Sequence, residues 1–423
     1  MPPSTQFPSD IPTYSFAERD RRWTLARSFL EREGLHAMLV FGEHEDAGAA
    51  PFCFDTWFTN ERAGMIVLFL RDDDPIVFVP IKTYILDHLE GWRRGDQGWI
   101  KAENVRLGNL SGMVADTLVQ SGLSNARIGV IGLDAYIPWL PEGIVPYRFW
   151  QNLLTKVPSV DFKPVGADFA RIMMPLSEEE IAVVRHSAGI GDAMAKAMVE
   201  AARPGASEVE VYAAGLGAAH KSGTVVAGMH MWTGPAPAAS GPPQWAYRPQ
   251  APRILEEGDY IATEVFCGFG MRQTQHQVAI AIGKVHEDLE RAAVIARKCY
   301  DAGIEKLRAG RRFDEATEAM LAPVVDAGGY VRGPQVHGLN PFGSFCRDFG
   351  GLEQIDGADR YPKAEANSTE LGEMLLEPGM TFAFEPSCGF GRHLVTIGGT
   401  VIVGKDQAIE LNPYTAQVLR AGG

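Results

Sequence analysis

Two glutamates sit at the ends of apolar, strand-like runs of this 423-residue chain. Glu264 follows Tyr260-Ile261-Ala262-Thr263, and Glu385 follows Met380-Thr381-Phe382-Ala383-Phe384. A carboxylate in such a run must be paired, hydrogen-bonded or protonated, because a lone buried charge is costly. Two carboxylates facing one pocket suit a cationic group, a guanidinium or an ammonium, which both can hold by charge-assisted hydrogen bonds. His337, in Val336-His337-Gly338-Leu339-Asn340, adds a group that gives and takes a proton near neutrality. Beside a carboxylate pair its pKa is expected to tend upward. His230, in Gly228-Met229-His230-Met231-Trp232, is a second candidate acid–base group, with the Tyr247 phenol as an alternative. Trp232, Trp245 and Tyr247 offer an aromatic wall for a cation or a ring, or plain packing.

Gln275 follows Glu264 by eleven residues and opens onto the apolar run Val278-Ala279-Ile280-Ala281-Ile282. His276 beside it points to the other face of a strand; it either serves a site, as substrate donor or ligand, or faces the core. Glu264, His337 and Glu385 with His276 would make a His/carboxylate set of the kind zinc accepts, so a single divalent ion stays open. Cys267 lies near Glu264 and reads as a buried thiol rather than a nucleophile.

These residues need a scaffold, and the chain is long enough for two domains with full cores. Residues from about 15 to 165 read as strands alternating with helices, which implies a mainly parallel or mixed sheet. Ala17 to Glu33 is an amphipathic helix closed by Gly34, leading into the strand Ala37–Phe41. Further strands are expected at Gly64–Leu70, Pro75–Val79 and Arg127–Gly132. A boundary falls near Pro175-Leu176-Ser177-Glu178-Glu179-Glu180, where Ser177 caps a helix running towards Ala202. The expected division is 1–170 and 171–423. Beyond it come a second helix, a proline-rich loop (Gly234–Pro252), two strands, helices at about 286–307 and 313–327, then more strands.

The net charge of −14 carries no basic stripe, so nucleic acid and anionic membrane are poor partners. No run approaches the twenty apolar residues that span a bilayer. Five scattered cysteines suit reduced thiols, and the N-terminus lacks the look of a signal peptide. A cytoplasmic protein is expected.

The segments Glu257-Gly258-Asp259, Val336-His337-Gly338-Leu339-Asn340 and Leu376-Glu377-Pro378-Gly379-Met380 through Glu385-Pro386 resemble the pita-bread metallopeptidase family of aminopeptidase P, prolidase and creatinase. The N-terminal unit is similar to that of creatinase and prolidase. The resemblance implies an α/β (α+β) architecture, with a creatinase-like α/β domain followed by a pita-bread domain. It also implies five ligand positions, Asp, Asp, His, Glu and Glu, where this chain has Glu264, Gln275, His337, Glu385 and Gly398. With two carboxylates left, two divalent ions would bury roughly two uncompensated positive charges, at several kcal/mol each. The family's second histidine is replaced by Ser344. The resemblance further implies a homodimer in which an arginine, here matched by Arg62 in Asp55–Arg62, reaches the other subunit's site to fork onto a substrate carboxylate or phenolate. The link from Arg347 to Leu371 is long and is a candidate lid.

The expectation is a metal-independent, creatinase-type enzyme that hydrolyses a non-peptide C–N bond of a small polar molecule, with no cofactor. His337, Glu264, Glu385 and His230 would be catalytic; Arg62, Trp232, Tyr247, Gln275 and His276 would bind substrate. A lyase using the same parts, a single-metal X-Pro exopeptidase and a catalytically dead binding protein are the alternatives.

Overall fold

The computed structural model describes residues 11–43, 54–96, 98–134, 143–224, 227–348, 351–362 and 372–421. The chain divides into two compact units, Met1–Met173 and Met174–Gly423.

The first unit runs α1 (Phe16–Arg32), β1 (Ala37–Phe41), α2 (Phe54–Thr59), β2 (Ile66–Leu70), β3 (Ile76–Val79), α3 (Lys82–Arg94), β4 (Val105–Leu107), α4 (Ser111–Gln120), β5 (Arg127–Ile131), α5 (Tyr147–Lys156), β6 (Asp161–Pro164) and α6 (Gly166–Met173). Its strands form one sheet in the order β4-β3-β2-β1-β5-β6. The sheet is mixed: β1 pairs antiparallel with β2 and parallel with β5. Every residue of β1 is buried, as its unbroken apolar run demands of a strand covered on both faces.

The second unit opens with α7 (Glu178–Ala201) and α8 (Glu208–Lys221). Ser177 and Ser207 each start their helix with a capping box, closed by Glu180 and Glu210. Then follow β7 (Ala227–Gly234), β8 (Tyr260–Phe269), β9 (Arg272–Ile282), α9 (Glu287–Lys306), α10 (Phe313–Asp326), β10 (Pro334–Leu339), β11 (Phe342–Asp348), β12 (Thr381–Phe384), β13 (Ser387–Phe390), β14 (His393–Thr396), β15 (Gly399–Ile402), β16 (Ile409–Glu410) and β17 (Leu419–Ala421). They build sheets ordered β17-β9-β8-β7 and β11-β10-β12-β15-β16, and the separate hairpin β13-β14.

Strand β9 ties the two larger sheets together. Its alternation sends Val278, Ile280 and Ile282 into a core with α7 and α8, and Ala279 and Ala281 into a second core with α9 and α10. Gln273, Gln275 and Gln277 share the second face. The backbone of Gln277 donates to Gly398 O at 3.1 Å, and Gln275 N–H reaches Thr400 Oγ1 at 3.0 Å.

The β8–β9 connection is a two-residue turn, with Gly270 at φ +52° and Met271 at φ +59° and Phe269 paired with Arg272. Two positive φ values are the mark of a type I′ turn, whose twist matches that of its strands. This turn fixes the register of the pair and so decides which side chain faces Glu264.

Candidate active site

Register places three polar side chains side by side. His230 on β7 pairs with Glu264 on β8, and Glu264 pairs with Gln277 on β9. Directly opposed residues bring their Cβ atoms to about 4.5–5.5 Å, close enough to interact. His230 Nδ1 stands 3.3 Å from Glu264 Oε2, an ion-pair contact without hydrogen-bond alignment. On the far side Gln277 Nε2 donates to Glu385 Oε2 at 2.6 Å. Glu385 Oε1 in turn lies 3.4 Å from His337 Nε2. β10 and the residue directly after β12 supply this last pair, since His337 is in register with Ala383, two residues before Glu385.

The electrostatics follow from depth. Burial pushes the Glu385 carboxyl well above the usual carboxylate range, and the charge of Glu264 adds to this, while Arg332 works against it. Burial also pushes His337 below its ordinary value, against the pull of the Gly338 carbonyl and of Glu264. The expected upward drift of His337 is therefore corrected. Its ring is almost wholly out of water, and desolvation of the imidazolium outweighs the nearby carboxylates.

A cleft opens onto this row, lined by His230, Trp232, Glu264, Gln277, Arg332 and Thr396 among others. The Trp232 indole N–H is buried and has no hydrogen-bond partner among the described residues, so a donor waits at the wall. Arg332 brings a guanidinium to a cleft that also holds the Glu264 carboxylate; its Nη1 makes a 3.4 Å contact to Ala238 O. The cleft thus offers binding partners to both a cationic and an anionic end of a small molecule.

Within the second unit the structure brings Glu264, Glu385, His337, His230 and Trp232 together and leaves Gln275, His276 and Tyr247 apart from them. Gln275 lies two residues nearer the turn, opposite Phe266, and Gln277 takes the place assigned to it. His276 faces away from the cleft: its fully buried ring fills the space above Gly191, where a Cβ would meet Nε2 at 1.9 Å. Burial without a charged partner pushes its pKa down to about 3, so it is a neutral packing group. Tyr247 is 54% exposed, with Arg248 over its ring, and does not line the cleft. Arg62, in the first unit, contacts Asp87 at 3.3 Å and lies over the Tyr84 ring. The Ser344 side chain and, of the candidate lid, residues 349–350 and 363–371 lie outside the described residues.

Sequence reasoning missed Gln277 and Arg332. Counting outward from the Gly270-Met271 turn finds the first, because a two-residue loop makes 264 and 277 partners. Arg332 carries no comparable signal in Tyr330-Val331-Arg332-Gly333-Pro334.

A dinuclear metal centre does not fit these donors. Gln277 is a neutral amide already committed to Glu385. Gly398 has φ +125°, and a Cβ there would fall 1.9 Å from Phe384 O, so no side chain can extend from this backbone. Among the described residues, the one set of three His, Cys, Asp or Glu ligand atoms within 4.8 Å of one another is His286, Asp288 and His393, outside the row described above.

The sheets, helices and site positions define a pita-bread fold. The model of metallopeptidase family M24 matches residues 182–405, and the chain belongs to that family. It is 23% identical over 382 residues to a creatinase from Bacillus sp. (strain B-0618), covering 89% of this chain and 84% of that one. Its fold is similar to that of an Xaa-Pro dipeptidase from Bacillus anthracis (TM-score 0.69, 16% identity, 95% of this chain and 99% of that one). It is also similar to an X-Pro aminopeptidase from Thermotoga maritima (TM-score 0.70, 12% identity, 94% and 99%). No helix among the described residues is long and apolar enough to cross a membrane.

Proposed function

We propose that this chain is a metal-independent hydrolase of the creatinase type, cleaving a non-peptide C–N bond in a small molecule with a cationic nitrogen group. The observation that carries this reading is the 2.6 Å bond from Gln277 to Glu385. It puts a neutral donor where a metal set would need a second carboxylate.

In this reading the substrate cation lies between Glu264 and Glu385 and replaces the divalent charge. Trp232 supplies a flat apolar face and its unpartnered N–H. Arg332 takes an anionic end, in a fork that matches a carboxylate. Water adds to carbon, the C–N bond breaks, and the departing nitrogen keeps the electron pair. The attacking water must lose one proton and the nitrogen must gain one. His230 can perform both transfers, because Glu264 at Nδ1 steadies the imidazolium formed in between and leaves Nε2 to exchange the proton. His337 and Glu385 hold a further proton between them and keep the Glu385 wall close to neutral until the cation arrives. A homodimer, with Arg62 serving a second copy's site, belongs to the same reading.

The test is turnover of guanidino, ureido, amidine and amide compounds alongside an Xaa-Pro dipeptide, before and after exhaustive chelation. Chelator-insensitive release of an amine, ammonia or urea, with one ¹⁸O atom from water in the product, is expected. Cleavage without that oxygen would mean a lyase. Dipeptide hydrolysis that chelation abolishes and Mn²⁺ or Zn²⁺ restores would overturn the proposal, and saturable binding without turnover would leave only a binding protein.

A further inference from the structure

We infer that His286, Asp288 and His393 form a site for one divalent transition-metal ion, on the side of the β13–β14 hairpin that faces α9. Asp288 Oδ2 lies 3.7 Å from His286 Nδ1 and 3.8 Å from His393 Nδ1. One ligand atom from each residue falls within 4.8 Å of the others. Donors so spaced surround a point roughly 2 Å from each, the length of a Zn–N or Zn–O bond. The imidazoles stack with centroids 3.9 Å apart and planes 10° from parallel, so the half-exposed His286 ring must turn for both lone pairs to meet at one ion.

The protonation is right for an ion. His286 Nδ1 accepts the Asp288 backbone N–H at 3.2 Å and therefore carries a lone pair, not a hydrogen. A bound ion takes the place of that N–H as the positive partner. An imidazole ligates as its neutral form, so binding at His393 is favoured as pH rises. Two imidazoles and a carboxylate suit Zn²⁺, Ni²⁺ or Cu²⁺ over Mg²⁺ or Ca²⁺. The N-terminus of α9 disfavours a cation, but Glu287, Asp288 and Glu290 in its first turn offset this.

The ion would act on the cleft from behind. His393 and Val395 alternate with Leu394 and Thr396, and the latter two line the cleft. Joining His393 to the start of α9 pins that stretch of wall.

The test is calorimetric titration of the chelator-stripped full chain with Zn²⁺, with elemental analysis after desalting. The native protein and the Glu385→Gln variant are expected to take one ion per chain, with affinity at least tenfold weaker in His393→Ala and in Asp288→Asn. No stoichiometric binding to the native chain, unchanged affinity in both hairpin and helix variants, or loss confined to Glu385→Gln would each overturn the inference.

Discussion

His337 presents Nε2 to Glu385 Oε1 at 3.4 Å while its Nδ1 lies 2.9 Å from the Gly338 carbonyl. The carbonyl can only accept, so Nδ1 carries the hydrogen and Nε2 the lone pair. The two facing atoms attract each other only with a proton between them. Burial raises Glu385 and lowers His337, which puts that proton on the carboxyl.

A pH dependence of stability follows. The folded chain keeps the Glu385 proton to higher pH than the unfolded chain, so stability falls as pH rises from about 4.3 through the raised folded-state value. His337, lowered on folding, has the opposite effect and weakens the fold as pH drops below about 6.5. Glu385→Gln keeps an acceptor for Gln277 and offers an amide N–H to His337 Nε2. Denaturant unfolding at pH 5, 6.5 and 8 should show this variant at least as stable as the native chain at pH 8, and without activity. Lower stability at pH 8 would show Glu385 to be ionised and paired.

Gln277→Glu sets a carboxyl against a carboxyl at a 2.6 Å contact. Loss of the amide donor and the new repulsion should cost roughly 1–3 kcal/mol, with reduced turnover of a cationic substrate. Thermal unfolding with and without Mn²⁺ measures it. A variant as stable as the native chain in the absence of metal would refute the role given to the amide.

Gly398→Ala should fail more severely than a change at an ordinary surface glycine. The added Cβ meets Phe384 O at 1.9 Å and the backbone sits at φ +125°. Strain of this kind costs on the order of 1–3 kcal/mol before any clash is counted. Soluble yield and unfolding midpoint check this against Gly205→Ala, which shares the positive φ (+84°) but has nothing within 4 Å of the added Cβ and so isolates the clash. Similar midpoints for both would contradict it.

Met271 is one of two non-glycine residues with positive φ among those described, at +59° in the β8–β9 turn. A left-handed conformation costs an ordinary side chain about 1–2 kcal/mol, and Asn tolerates it better. Met271→Asn should raise stability by about 0.5–1 kcal/mol with kcat/KM unchanged. A fall in stability would mean that the methionine side chain packs usefully.

Much of the architecture was legible in the sequence because it rests on local signals. Ser177 with Glu180 announced α7, and the apolar run at 37–41 announced β1 at its observed bounds. The other strands expected in the first unit fell within two residues of their observed bounds, whereas β9 starts six residues before the apolar run that marks it. Glu264 and Glu385 were legible as functional because charge in an apolar run needs a reason. Gln275 follows from the spacing of the family's ligands, whereas the register set by the turn puts Gln277 opposite Glu264. His276 looked chemical by residue type, but its surroundings are set by the small residue Gly191 on α7, eighty-five positions away. Tyr247 failed for a similar reason: nothing in its neighbours says which way a proline-rich loop lies. Arg332 depends on how β10 is entered, which only the folded chain reveals.

The row of glutamines on β9 has a further meaning for how such a strand can change. A shift by one residue would turn Val278, Ile280 and Ile282 out of their core, so alternative pairings of this hairpin can differ only in steps of two. Towards the turn, each such step brings another glutamine, Gln275 and then Gln273, opposite Glu264. The strand thus spells the same uncharged donor at successive permitted positions, and a slip or a paired insertion would leave the cleft with an amide at its centre.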